Sequence, residues 1–201
     1  MATSLGLDKV KVVNVSFDAL VAGQTGGFDL ALSQVTITDE RAKVVDFSTP
    51  YFSADQGVLV NKGTTISNID EAKKAKWGVQ ASTTAQTYLA DVVKPTSEPA
   101  VFQDTPSMFT ALQANQIDAV MLDTSIVLGQ AAQSNGAQVV VAQFKTGEEY
   151  GAIYQKGSPN AAALDKIIAG YASDGTLQKL QEKWLVPVFK GDPAKIPYIT
   201  P

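Results

Sequence analysis

Three short runs hold side chains that could recognise a small charged molecule. The first is Ser33-Gln34-Val35-Thr36-Ile37-Thr38-Asp39-Glu40-Arg41, which follows an apolar run and sets polar Ser33, Thr36 and Thr38 between Val35 and Ile37. Arg41 is the only arginine; the fifteen other basic residues are lysines. A guanidinium offers a carboxylate a planar fork that an ammonium cannot match. The plainer reading makes Arg41 a solvated partner of Asp39 or Glu40, a pairing of little energetic weight. The second run is Gln80-Ala81-Ser82-Thr83-Thr84. Small hydroxyl residues where a strand turns into a helix leave backbone N–H groups facing outward, a favourable place for an anion. Its plainer reading is an ordinary Ser/Thr helix cap. The third is Asp123, closing Ala119-Val120-Met121-Leu122. A carboxylate there either caps the following helix or receives a cation. Taken together, a cation, a set of N–H donors and a carboxylate, each at the end of a different strand, match the two charged ends of a zwitterion. Buried charges need such partners.

Composition removes most competing chemistries. The 201 residues include no histidine and no cysteine. That excludes a Ser-His-Asp triad, a His-ligated metal, a disulfide, a zinc finger and thiol catalysis. No motif calls for a cofactor or a metal. With 45% hydrophobic and 18% charged residues the chain has material for a sizeable core. A net charge of −4 and a pI of about 4.8 give no basic patch for nucleic acid. No apolar run approaches the ~18 residues of a membrane span. The opening Met1-Ala2-Thr3-Ser4-Leu5-Gly6-Leu7 lacks the basic and apolar regions of a signal peptide.

The elements that would position these runs alternate. The spacing predicts strands over residues 11–15, 28–32, 58–60, 77–80, 100–103, 117–122, 139–142 and 150–155. It predicts helices after Ser16, after Thr38, and over 69–76, 83–91, 107–115 and 124–133. Ser158-Pro159 reads as a cap with proline at the first helical position, ahead of Leu164, Ile167, Ile168 and Tyr171. Asp174-Gly175 reads as a turn into a second amphipathic helix carrying Leu177, Leu180 and Trp184. The proline-rich residues 187–201 read as an irregular surface tail. This alternation predicts an α/β fold with mainly parallel sheets. Phe17-Asp18-Ala19-Leu20 leading to Phe28-Asp29-Leu30-Ala31-Leu32 resembles Phe109-Thr110-Ala111-Leu112 leading to Ile117-Asp118-Ala119-Val120-Met121. Two similar lobes, or merely two ordinary helix–strand units, would each give this echo.

At these residues the chain resembles the polar amino acid-binding proteins of ABC importers, bacterial extracellular solute-binding proteins of family 3. The run Val35-Thr36-Ile37-Thr38-Asp39-Glu40-Arg41-Ala42-Lys43-Val44-Val45-Asp46-Phe47-Ser48-Thr49-Pro50-Tyr51 is close to the family signature. Gly78-Val79-Gln80-Ala81-Ser82-Thr83-Thr84 resembles the second-lobe ligand turn, Asp118-Ala119-Val120-Met121-Leu122-Asp123 the amino-group strand, and Glu149-Tyr150-Gly151 the return hinge. Asp174-Gly175-Thr176-Leu177 and Trp184 resemble the closing helices, so the likeness runs over residues 5–186.

The resemblance implies a periplasmic-binding-protein-like type II fold. Lobe 1 would comprise residues 1–60 and 150–201, and lobe 2 residues 61–149, closing on a small amino acid. Ser33, Val35, Thr36, Arg41, Ser82, Thr83, Thr84 and Asp123 would line the ligand site. Arg41 would hold the carboxylate, helped by Thr36 and by Thr83 or Thr84, and Asp123 the amine. It implies a non-catalytic protein, periplasmic or extracellular, that delivers its ligand to membrane permease subunits. The chain departs from the family by lacking the first βα unit, which leaves lobe 1 incomplete. A fragment, a domain-swapped or edge-paired homodimer, or a working short form would each account for that. Two alternatives share the fold. One is a cyclohexadienyl or arogenate dehydratase-like enzyme, with Glu148 or Glu149 as its acid; the other is the sensor domain of a receptor.

Overall fold

A computed structural model describes residues 1–24, 26–189 and 193–201. In chain order the first elements are α1 (Phe17–Val21), β1 (Ala31–Thr36), α2 (Asp39–Ala42), β2 (Val45–Phe47), β3 (Phe52–Asn61), α3 (Ile69–Lys74), β4 (Trp77–Gln80) and α4 (Thr84–Tyr88). There follow β5 (Ala100–Phe102), α5 (Thr105–Gln113), β6 (Ala119–Asp123), α6 (Thr124–Gln133), β7 (Gln138–Gln155), α7 (Ala161–Ser173), α8 (Thr176–Trp184) and α9 (Val186–Phe189). Helix starts follow local chemistry. Thr38, Asn68, Thr83 and Asp104 each accept a backbone N–H of the first turn through the side chain.

The chain forms two compact units: residues 1–53 with 148–181, and residues 54–147 with 182–201. It passes between them three times. The first two passages run through continuous strands, β3 and β7, and the third through α8.

In the first unit β1 and β2 both pair antiparallel with the end of β7, through Thr36↔Tyr150 and Phe47↔Ile153 among others. Leu20, Val35, Val45 and Ile153 form one core cluster; Ala152, Tyr154, Leu164 and Ile168 form a second beneath α7. Gly151 is a glycine for a packing reason. A Cβ there would lie 2.8 Å from both Ile37 and Phe47.

In the second unit the strand order is β7-β3-β6-β4-β5. The pairs β4–β5 and β4–β6 are parallel, as βαβ units require, while β3 runs antiparallel to β6. One face buries Trp77, Leu89, Met121 and Phe144, the other Leu59, Met108, Leu112 and Val127.

Four readings of the sequence are corrected. Residues 11–15 form no strand and are largely exposed, Val12 at 89%. Among the described residues no ladder partner lies beside them, and a strand without a partner leaves its backbone groups to water. The strand expected over residues 28–32 runs instead from Ala31 to Thr36, displaced by a bulge in which Gln34 takes φ 54°. Helix α7 begins after Asn160, not at Pro159. The tail is not a loose surface segment. The Gln143 N–H donates to the Pro197 carbonyl and the Gln143 carbonyl accepts the Ile199 N–H, Gln143 Nε2 donates to the carbonyls of Pro193 and Ile196, and Ile199 is buried in the second unit. The last twenty residues therefore pack with the second unit, where the sequence-drawn boundaries had put them in the first. Helix α8 forms where expected, yet its Leu180 and Trp184 are exposed.

Candidate functional site

Arg41 sits in α2, a single turn started by Thr38, whose hydroxyl accepts the Arg41 N–H at 3.2 Å. Its side chain is buried, with 9% exposure. Nη1 donates to the Thr36 carbonyl at 2.8 Å, and the guanidinium carbon lies 5.6 Å from the centroid of the Phe17 ring. Neither adjacent carboxylate accounts for that placement: Glu40 pairs with Lys43, and Asp39 is exposed. The guanidinium is thus turned into the first unit.

Thr36 closes β1 beside it, buried, its hydroxyl donating to Glu148 Oε2 at 2.5 Å. Ser33 is exposed, and Val35 has its side chain wholly within the core, so only the Val35 backbone is left to meet a ligand. An aromatic group that sequence reasoning missed packs in the same unit. Tyr150 stacks on Phe52 at 5.4 Å between centroids and meets Tyr51 at 6.2 Å. Burial pushes the Tyr51 phenol above its ordinary value, with the Gln34 backbone opposing.

In the second unit Ser82, Thr83 and Thr84 lie where β4 turns into α4. Ser82 takes φ 62°, an uncommon conformation for a residue with a side chain, and its N–H donates to Gln86 Oε1 at 3.0 Å. Thr83 is the cap; its hydroxyl donates to the Gln80 carbonyl at 2.7 Å and accepts the Gln86 N–H at 3.3 Å. The plainer reading therefore holds for Thr83.

Asp123 is buried at the end of β6, and although it occupies the cap position of α6 its side chain makes no cap hydrogen bond. Instead Oδ1 accepts from Gln56 Nε2 at 2.7 Å, and the same nitrogen lies 3.3 Å from the Thr84 hydroxyl. Gln56 is fully buried in β3 and was not foreseen. A lone glutamine in an apolar strand looks like a solvent-facing residue until the partner strand is known.

The structure thus brings Arg41 and Thr36 together in the first unit, and Asp123, Thr84 and the neighbouring turn together in the second. Among the described residues no group of three acidic, histidine or cysteine side chains is placed to hold a metal ion.

Comparison with known proteins gives these groups a context. The family model for bacterial extracellular solute-binding proteins, family 3, matches residues 1–187. The L-cystine-binding protein TcyJ of Escherichia coli (strain K12) is 32% identical over 92% of this chain and 70% of its own length. An ancestral arginine-binding protein bound to glutamine shares the fold, with a TM-score of 0.82 and 33% identity over 91% of this chain and 82% of that one. The ancestral amino acid-binding protein AncCDT-1, a precursor of cyclohexadienyl dehydratase, gives 0.77 and 33% over 92% and 80%. Those neighbours carry the periplasmic amino acid-binding fold of type II. The chain belongs to the bacterial extracellular solute-binding proteins, family 3.

Proposed function

We propose that this chain is the amino acid-binding component of an ABC importer, holding one small α-amino acid by its two charged ends. The observation that carries the reading is Arg41, the only guanidinium in the sequence, buried and oriented by Thr36 and Phe17 instead of by its acidic neighbours. It supplies a planar donor for a carboxylate. Asp123, buried and not spent as a helix cap, supplies the acceptor for an ammonium. Thr84 adds its hydroxyl, Thr83 and Thr84 their backbone N–H groups at the start of α4, and Thr36 stands beside Arg41; Ser33, Ser82 and the Val35 backbone complete the proposed set. Ligand binding then shifts a conformational equilibrium, and membrane permease subunits on the outer side of the membrane read the liganded form.

β1 stands at the margin of the strand order with Leu32 exposed. We place a second copy of the chain there, paired by edge or by swapped strand. Light scattering that returns the mass of a monomer at all concentrations would remove that part of the reading.

The dehydratase reading is less well supported. A dehydratase needs a general acid, and of the two carboxyl groups available for that role, Glu148 and Glu149, Glu148 accepts the Thr36 hydroxyl. Incubation with prephenate distinguishes the two: turnover would favour the enzyme.

Calorimetry against a panel of amino acids tests the main proposal. Binding of one of them at micromolar affinity or better, lost in Arg41→Ala, is the expected result. A panel without heat, or an Arg41→Ala variant that binds as well as the parent, would overturn it.

A further inference from the structure

Asp123 accepts a hydrogen bond from the carboxamide of Gln56. The two residues stand directly opposite each other in the β3–β6 ladder, so both project to one face of the sheet. Gln56 precedes Gly57, Val58, Leu59 and Val60, all buried. A polar amide in such a strand is costly to bury unless it is bonded. A carboxylate only accepts, so the amide must turn its nitrogen toward it. One hydrogen of Nε2 serves Asp123 Oδ1 at 2.7 Å and the other points to Thr84 Oγ1 at 3.3 Å.

A neutral donor has a particular merit at this position. A lysine opposite Asp123 would cancel its charge and repel an incoming ammonium. The amide fixes one carboxylate oxygen in place and leaves the negative charge intact. Because its two N–H groups lie in one plane, it also sets the end of β6 relative to the first turn of α4. Gly57 helps keep that arrangement compact: a Cβ there would come within 2.6 Å of Val127 and 3.0 Å of the Thr124 backbone.

We propose that Gln56 is a positioning residue that fixes the spacing between the ammonium-binding Asp123 and the carboxylate-side hydroxyl of Thr84, and thereby selects α-amino acids over their β-homologues. This rests on the functional reading of Asp123 and Thr84 given above. A β-amino acid carries one more methylene between its charges, so a rigid pair of subsites penalises it, whereas a loosened pair accommodates both.

The experiment uses the whole chain and the α-amino acid that binds best in the panel, together with its β-homologue. Gln56→Met keeps length and approximate volume while removing the amide; Asp123→Ala serves as the reference. Gln56→Met is expected to weaken α-amino acid binding at least tenfold and to reduce the α-over-β preference at least tenfold. Thr84→Val, which removes the second acceptor at a half-buried position, is expected to reduce the preference in the same direction. It supplies the measurement if Gln56→Met does not fold.

If Asp123→Ala weakens binding but Gln56→Met leaves both affinity and preference within twofold, the inference is overturned and the site reading stands. A Gln56→Met loss equal for the two homologues also overturns it, since a purely structural residue would behave that way. If the parent binds no amino acid, or Asp123→Ala binds as the parent does, the site reading itself fails and takes the inference with it.

Discussion

The hydroxyl of Tyr198 donates to Oδ2 of Asp55 at 2.7 Å, joining the C-terminal segment to the strand β3 just inside the second unit. The other oxygen of Asp55 accepts the N–H groups of Thr146 and Gly147 at 2.8 and 3.0 Å. One carboxylate therefore ties three stretches of chain, two of them next to the passages between the units. Burial alone would raise its pKa, but the Gly147 N–H, the Tyr198 hydroxyl and the Thr146 N–H outweigh that and hold it below the usual 3.8. A lowered native value means that the stabilisation is complete above the ordinary carboxylate range and fades as pH falls through the native value. Tyr198→Phe is expected to cost about 1 kcal/mol at neutral pH. Asp55→Asn is expected to flatten the acid limb of stability measured by urea unfolding between pH 6 and 2. An acid limb identical to that of the parent would refute the assignment.

Gly57→Ala tests the approach of α6 to β3. The added methyl meets Val127 at 2.6 Å and backbone at Thr124, so relief requires the start of α6 to move. Overpacking of this kind costs about 1–3 kcal/mol. The thermal midpoint should fall accordingly, and because Asp123 directly precedes α6, amino acid affinity should fall with it. A variant as stable as the parent would show that the contact is readily relieved.

Arg41→Lys keeps the charge but gives up the planar fork, the stack on Phe17 and the fixed bond to the Thr36 carbonyl. Binding of the preferred amino acid is expected to drop at least tenfold, about 1.4 kcal/mol or more, with the circular dichroism spectrum preserved. Retention of full affinity by the lysine variant would mean that charge alone is recognised.

Tyr154 provides an alkaline counterpart to Asp55. Burial, aided by the nearby Asp165 carboxylate and opposed by the Ser48 hydroxyl, pushes its phenol up to about 12. Since the unfolded chain releases that proton near the ordinary 10.0, stability conferred by the neutral phenol is whole below pH 10 and is lost between there and about 12. Urea midpoints at pH 9 and pH 11 should differ more in the parent than in Tyr154→Phe. Equal differences in the two proteins would count against a buried, neutral Tyr154.

Much of this architecture is legible because it is local. The strand Trp77–Gln80 and the helix that follows Thr38 stand where apolar runs and capping residues put them. Apart from the start of α7, the errors share a cause: pairing partners distant in sequence. Residues 11–15 have the valines of a strand, but strandedness depends on a neighbour, and none of the described residues supplies one. The docking of Ile199 depends on Gln143, fifty-six positions earlier, and nothing in the tail announces it. Arg41 and Asp123 were recognisable as chemistry at strand ends. Gln56 was not, because its meaning lies in the residue it faces across β3 and β6.

The threefold passage of the chain has a consequence for biosynthesis. The first unit is interrupted by residues 54–147, and the second is completed by residues 182–201. While the nascent polypeptide still emerges from the ribosome, the first unit must wait for residues 148–181 and the second for the segment carrying Ile199. Neither half is encoded by one uninterrupted stretch of the sequence, and each is completed only after part of the other has been made.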